Sequence, residues 1–137
     1  MKYLGLDLGT KTLGLAITDK LGTVSVPYKV LRYTDINELI DELLIIIDEE
    51  QVDELVLGLP KNMNNSLGFA SERSLNFKKL LEEKCDKKIH LIDERLSTKE
   101  AENILISTDT SREKRKKIID AYAASIILET YLNSKKG

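Results

Sequence analysis

The apolar pattern of this chain changes period near Asp35, and that change dictates the order in which its elements can be built. Before it, apolar residues come in short runs separated by tight-turn residues. MKYLGLDLGTKTLGLAITD reads as a strand, a Gly-Thr-Lys turn and a returning strand. Gly22 supplies a second turn, and Thr23–Leu31 (TVSVPYKVL), rich in β-branched residues, reads as a third strand. Three short strands in succession imply an antiparallel meander. From Asp35 to Glu50 the spacing turns helical, with Ile36, Leu39, Ile40, Leu43, Leu44 and Ile47 forming one stripe. Asp35 followed by Glu38 has the form of a capping box.

Helix-linked strands follow. Glu54–Leu59 is a compact apolar run ending at Pro60, as a buried central strand requires. The polar loop KNMNNSLG leads to a helix over about Phe69–Lys84. Lys88–Ile92 reads as a strand, Ser97 or Thr98 caps a short helix, and a last helix covers about Arg112–Leu132. Ile118, Ile119, Tyr122, Ile126 and Tyr131 are its candidate core positions. The order β-β-β-α-β-α-β-α-α specifies an α/β fold. Its five-stranded mixed sheet is antiparallel in the first triplet and parallel beyond it, with helices on both faces. A length of 137 residues fits a single domain spanning 1–137.

Composition excludes several classes. Charged residues make up 32% and Pro is scarce, which argues against disorder. No run has the length of a membrane span, and the N-terminus enters a strand without a signal-peptide pattern. With the lone Cys85, this points to the cytoplasm. The net charge of -2 argues against a generic basic coat for nucleic acid, so any such contact must be local or metal-mediated.

Ligands of open α/β sheets gather beyond the carboxyl ends of the strands. That rule predicts one rim for Asp7, the loop after Pro60 and the acids at 93–94. Asp7 shares a strand face with Tyr3 and Gly5 and can hold a hard cation; its bland role would be to cap the Gly9 turn. In Asp93-Glu94-Arg95, alternation puts His90, Ile92 and Glu94 on one face and Asp93 and Arg95 on the other. Either acid is open as the ligand, with Glu94 favoured for its reach, and the bland alternative is a surface ion pair with Arg95. Asp120, within IIDAYAASIIL, has apolar residues on both sides, and Ala121 and Ala124 allow close approach to the sheet. A carboxylate there needs a cation or hydrogen-bond donors. His90 reads as structural, because one His without Cys partners makes a poor zinc site.

These residues resemble a known family. LGLDLGTKTLGLAITD is similar to the N-terminal signature of the YqgF (RuvX) family of the ribonuclease H-like superfamily. LVLGLPKNMNNSLG resembles its Gly-Leu-Pro strand and Asn-rich loop, IDERLST its second acidic motif, and DAYAASIIL its last-helix aspartate motif. The resemblance covers essentially the whole chain. It implies a five-stranded ribonuclease H-like fold and a divalent-metal nuclease, with Asp7, Glu94 (or Asp93) and Asp120 as catalytic acids holding Mg²⁺ or Mn²⁺. The activity implied is maturation of the 5′ end of 16S ribosomal RNA or, alternatively, resolution of Holliday junctions. RuvC-type relatives carry their second acid on the strand after the first long helix, which here ends in Gly58-Leu59-Pro60 without one. The substitute acid would come from the next strand, about 9–10 Å from the Asp7 strand if one strand lies between them.

Two metals about 3.5–4 Å apart would serve attacking and leaving oxygens of a phosphodiester. Around them, Lys11, Lys61, Asn62, Ser66 and Arg95 are candidate nucleic-acid contacts. Arg112, Arg115, Lys116 and Lys117 form a basic run leading to Asp120, whose plainer role is a solvated helix end. The partner expected is nucleic acid, a structured RNA such as pre-rRNA in ribosome precursors or a branched DNA. No membrane contact is expected, and a homodimer is allowed. Two rival readings stand: half of an actin-like nucleotide-binding ATPase, because LGLDLGTKTLG also resembles that group's phosphate loop, and a non-catalytic nucleic-acid-binding module.

Overall fold

A computed structural model describes residues 1–59, 69–93 and 112–136, with side chains described over 1–59, 72–92 and 121–134. In chain order the elements are β1 (Tyr3–Leu8), β2 (Thr12–Thr18), β3 (Ser25–Arg32), α1 (Ile36–Glu49), β4 (Glu54–Leu59), α2 (Phe69–Lys84), β5 (Lys88–Asp93) and α3 (Arg112–Lys136). The sheet order is β3-β2-β1-β4-β5. The β1/β2 and β2/β3 pairs are antiparallel, and β1/β4 and β4/β5 are parallel. This is the mixed sheet that the element order predicts.

The turns are local chemistry. Gly9 N donates to Thr12 O at 2.8 Å and closes the first hairpin. In the second, the Asp19 carboxylate accepts from Thr23 N and Thr23 Oγ1 at 2.8 Å and from Val24 N at 3.2 Å. Gly22 takes the left-handed conformation this turn needs, with φ 69°. Thr23 is therefore spent in the turn, and the third strand begins at Ser25 rather than Thr23. Edge strand β3 bulges at Tyr28, which has no cross-strand partner between Lys29 (opposite Leu15) and Pro27 (opposite Ala16), beside a proline that offers no donor.

Asp35 caps α1 by accepting from Asn37 N at 2.9 Å. The helix ends in a Schellman arrangement: Val52 N reaches Ile47 O at 3.0 Å and Gln51 N reaches Asp48 O at 3.3 Å. Gln51 occupies the left-handed position, φ 54°, where glycine is usual.

The sheet separates two apolar layers. On one side α1 and α2 cover Leu4, Leu6, Leu13, Leu15, Leu55 and Leu57 with Leu39, Ile40, Leu43, Phe77 and Leu81. On the other, α3 covers Tyr3, Ala16 and Val56 with Ala124, Ile127, Leu128 and Leu132. The buried face of α3 includes Ala121 and Ala124, as their small size suggested, but departs from the expectation for the larger residues. Ala121, Ala123, Ala124 and Ser125 are buried there, while Tyr122, Ile126 and Tyr131 are only half-buried. The reason is proximity: a methyl placed on Gly5 would lie 2.9 Å from the Ala124 carbonyl oxygen and 2.9 Å from Leu128 Cβ. At that closest point Gly5 and Ala124 bring the backbones together, while Ile127, Leu128 and Leu132 pack alongside. The side chains of Ile118 and Ile119 lie outside the described residues, as does the short helix expected after Ser97 or Thr98.

Candidate active site

Because β1, β4 and β5 run parallel, their carboxyl ends share one rim. Asp7 stands there on β1, and Asp93 closes β5 opposite Leu59. Strand β4 lies between β1 and β5, as the sequence-based spacing assumed. Which face each residue takes follows from the register. Gly5 pairs with Val56, and Val56 with His90. Gly5 and Val56 pack under α3, Ile92 joins the same cluster, and Ile89 packs on the α1 side. Asp7 therefore shares the α3 face with Gly5, His90 and Ile92.

Asp7 is half-buried, and its sheet neighbours among the described residues are small. It pairs with Gly14 of β2, and on β4 the residue after Leu57, the partner of Leu6, is Gly58. Neither flank carries a side chain on this face. Strand glycines of this kind often mark a close approach by another group. That signal was present in the sequence, where these glycines had no assigned role.

Helix α3 runs back along β1. Tyr131 meets Tyr3 edge-on with centroids 5.5 Å apart, and Ala124 and Leu128 lie against Gly5. Each step of two strand residues advances about 6.6 Å and each helical turn about 5.4 Å. One turn before Ala124 is residue 120, so this level of α3 comes abreast of Asp7. The side chain of Asp120 lies outside the described ones, as do those of Asp93, Arg112, Arg115, Lys116 and Lys117. Lys61, Asn62, Ser66, Glu94 and Arg95 lie outside the described residues altogether. Among the described residues no group of three or more His, Cys, Asp or Glu side chains comes together. The donor chemistry at Asp7 nevertheless fits a hard divalent cation, which prefers carboxylate oxygen.

Lys11 is exposed and lines a groove on the α1 side of the rim with Arg32, Tyr33 and Glu38. Tyr33 clasps the β1–β2 turn. Its hydroxyl donates to Gly9 O and its backbone N–H to Lys11 O at 3.0 Å. Burial pushes the Tyr33 phenol above its ordinary range, and Arg73 partly opposes the shift. His90 sits away from the rim. Its Nε2 is 2.6 Å from Glu54 Oε1, and its ring packs on Tyr131 at 4.5 Å between centroids. A histidine held between a carboxylate and a ring near the amino ends of β4 and β5 fits the structural role expected of it. Among the described residues no helix is long and apolar enough to cross a membrane.

Known proteins match both the sequence and the architecture. A chain from Geobacillus sp. (strain WCH70), named "Putative pre-16S rRNA nuclease", is 48% identical over 143 residues, covering 99% of this chain and 100% of that one. One of the same name from Staphylococcus haemolyticus (strain JCSC1435) is 50% identical over 136 residues, covering 97% and 96%. Two solved structures share the fold at low identity. The T. thermophilus RuvC in complex with Holliday junction substrate has a TM-score of 0.61 at 14% identity, covering 100% of this chain and 96% of that one. The Fowlpox virus resolvase in complex with Holliday junction DNA has a TM-score of 0.62 at 15% identity, covering 100% of both. The fold is ribonuclease H-like, as the sequence resemblance implied. The family model RuvX, described as Holliday junction resolvase, matches residues 1–134, and the chain belongs to that family.

Proposed function

We propose that this chain is a divalent-metal-dependent nuclease that hydrolyses phosphodiester bonds in maturing the 5′ end of pre-16S ribosomal RNA, through one domain spanning 1–137. The observation that carries the chemistry is Asp7: a half-buried acid at the carboxyl end of the central strand, flanked by glycines, on the face that α3 covers. The ribosomal substrate is supported by relatives named for it that align along nearly their whole length.

In this reading Asp7, Glu94 and Asp120 supply the carboxylates for Mg²⁺ or Mn²⁺. The parity of β5 supports Glu94 over Asp93, since His90 and Ile92 share the α3 face. The bound ions would polarise the phosphoryl oxygen, lower the pKa of the attacking water and offset the negative charge of the acids. Lys11, Lys61, Asn62, Ser66 and Arg95 would meet the substrate near the rim. Arg112, Arg115, Lys116 and Lys117, on the first turns of α3, would neutralise phosphates without reading bases. The half-buried position of Asp7 keeps water from screening its charge fully.

A second reading, cleavage of branched DNA, is favoured by the family's own description. Both are tested by one comparison: cleavage of a precursor 16S 5′ end and of a four-way DNA junction, with and without Mn²⁺. Asp7→Asn should fold and lose about 10²–10³ in rate, the scale for a direct electrostatic contributor. Glu94→Gln should cost far more activity than Asp93→Asn. Undiminished cleavage by Asp7→Asn would sink the metal-site assignment, and a junction cut in preference to the RNA would replace the ribosomal reading.

A further inference from the structure

On the α1/α2 side of the same rim lies a groove of about 610 Å³, within the size range of small-molecule sites. Ile36, Phe77 and Leu80 contribute apolar lining, Tyr33 an aromatic ring, and Asn76 and Arg73 polar groups. Asn76 is exposed and Arg73 half-buried. Asp35 also borders the groove, but its carboxylate is engaged in capping α1. Among the described residues Arg73 has no carboxylate within salt-bridge distance. Tyr33 borders a second groove too, whose cations are Lys11 and Arg32 and whose acids are Glu38 and Glu42. Its ring is therefore a wall between two grooves, and its hydroxyl bond to Gly9 ties it to the turn just beyond Asp7.

We propose that the larger groove takes one unpaired nucleobase of the substrate strand, close to the point of cleavage. The base stacks on Tyr33 above the apolar lining, Asn76 meets its edge, and Arg73 meets the phosphate. Aromatic faces accept any base, whereas an amide and a guanidinium supply hydrogen bonds that an apolar ligand would leave unsatisfied. A base inside a duplex is stacked and paired and cannot enter, so the groove selects single-stranded or splayed substrate. The assignment rests on the nuclease reading only for where the cut lies.

The test is binding of a single-stranded oligoribonucleotide carrying 2-aminopurine, and of the blunt duplex of the same sequence, to the Asp7→Asn chain so that the strand stays intact. Stacking should quench the fluorescence. Tyr33→Leu should remove the quenching and weaken single-strand binding about tenfold, while Tyr33→Phe keeps the quenching. Arg73→Ala and Asn76→Ala lie toward the surface of α2 and keep the test decisive if Tyr33→Leu fails to fold. Each should weaken single-strand binding and leave duplex binding unchanged. Equal losses on both probes, unchanged quenching in Tyr33→Leu, or no single-strand binding by the parent would overturn the assignment. Cleavage by the unsubstituted chain separates the two claims. Selective single-strand binding without any cleavage would remove the nuclease reading alone, and cleavage with unaltered binding by the variants would remove the groove alone.

Discussion

On the α1/α2 side of the sheet, Leu, Ile and Phe side chains fill the space between layers; on the α3 side, glycine and alanine let one backbone approach another. The first arrangement gains free energy by removing large apolar surface from water. The second buries less per residue but sets a position. At Gly5 the distance from strand to helix is fixed by atoms that cannot move aside, including the Ala124 carbonyl oxygen. Asp7 lies on that constrained face. The side that stabilises the protein most is therefore not the side whose geometry matters most for the proposed chemistry.

The contrast can be broken by mutation. The largest expected loss of stability is on the well-filled side: Leu6→Ala, at a fully buried position, should cost about 2–5 kcal/mol in denaturant unfolding. A smaller loss would mean that this layer is looser than its burial implies. On the other side, Gly5→Ala adds only a methyl, yet should cost about 1–3 kcal/mol by overpacking and lift α3 from β1. Cleavage should fall further than stability accounts for. If Gly5→Ala cleaves normally, the close approach does not set the site.

Two smaller effects lie off both faces. Gln51→Gly relieves a left-handed residue at the end of α1 and should raise stability by about 0.5–1 kcal/mol, with cleavage unchanged. At the β2–β3 turn, hydrogen bonds from Thr23 hold the Asp19 carboxyl below its usual range. Its folded value is depressed, so its contribution is present above the unfolded value of 3.8 and is lost as pH falls through the folded one. Asp19→Asn should therefore lower stability at neutral pH, change it little once pH has fallen well below about 4, and so flatten the acid limb between. An identical acid limb would show that the turn bonds do not differ between folded and unfolded chains.

Much of this architecture is set by information local to the sequence. The alternating runs before Asp35 and the helical stripe after it determine the element order, and the order determines a mixed sheet with a shared rim. Asp7 was legible as a candidate site residue because a strand ending in an acid beside a glycine turn is a local pattern, and the family was legible from motifs of the same kind. The buried face of α3 was legible only in part: Ala121 and Ala124 mark a close approach to the sheet, but a helical stripe also singles out Tyr122, Ile126 and Tyr131, which are only half-buried. The contact at Gly5 shows how near Ala124 and Leu128 come to β1, a distance that their size and spacing alone do not give. Nor could the sequence pair Gly14 with Asp7, or join Tyr33 to Gly9 and to a groove shared with Arg73. Periodicity describes each element against an average partner. How near two elements come, and which side chains from distant segments share a space, depends on atoms meeting across the fold, and that the tertiary structure alone decided.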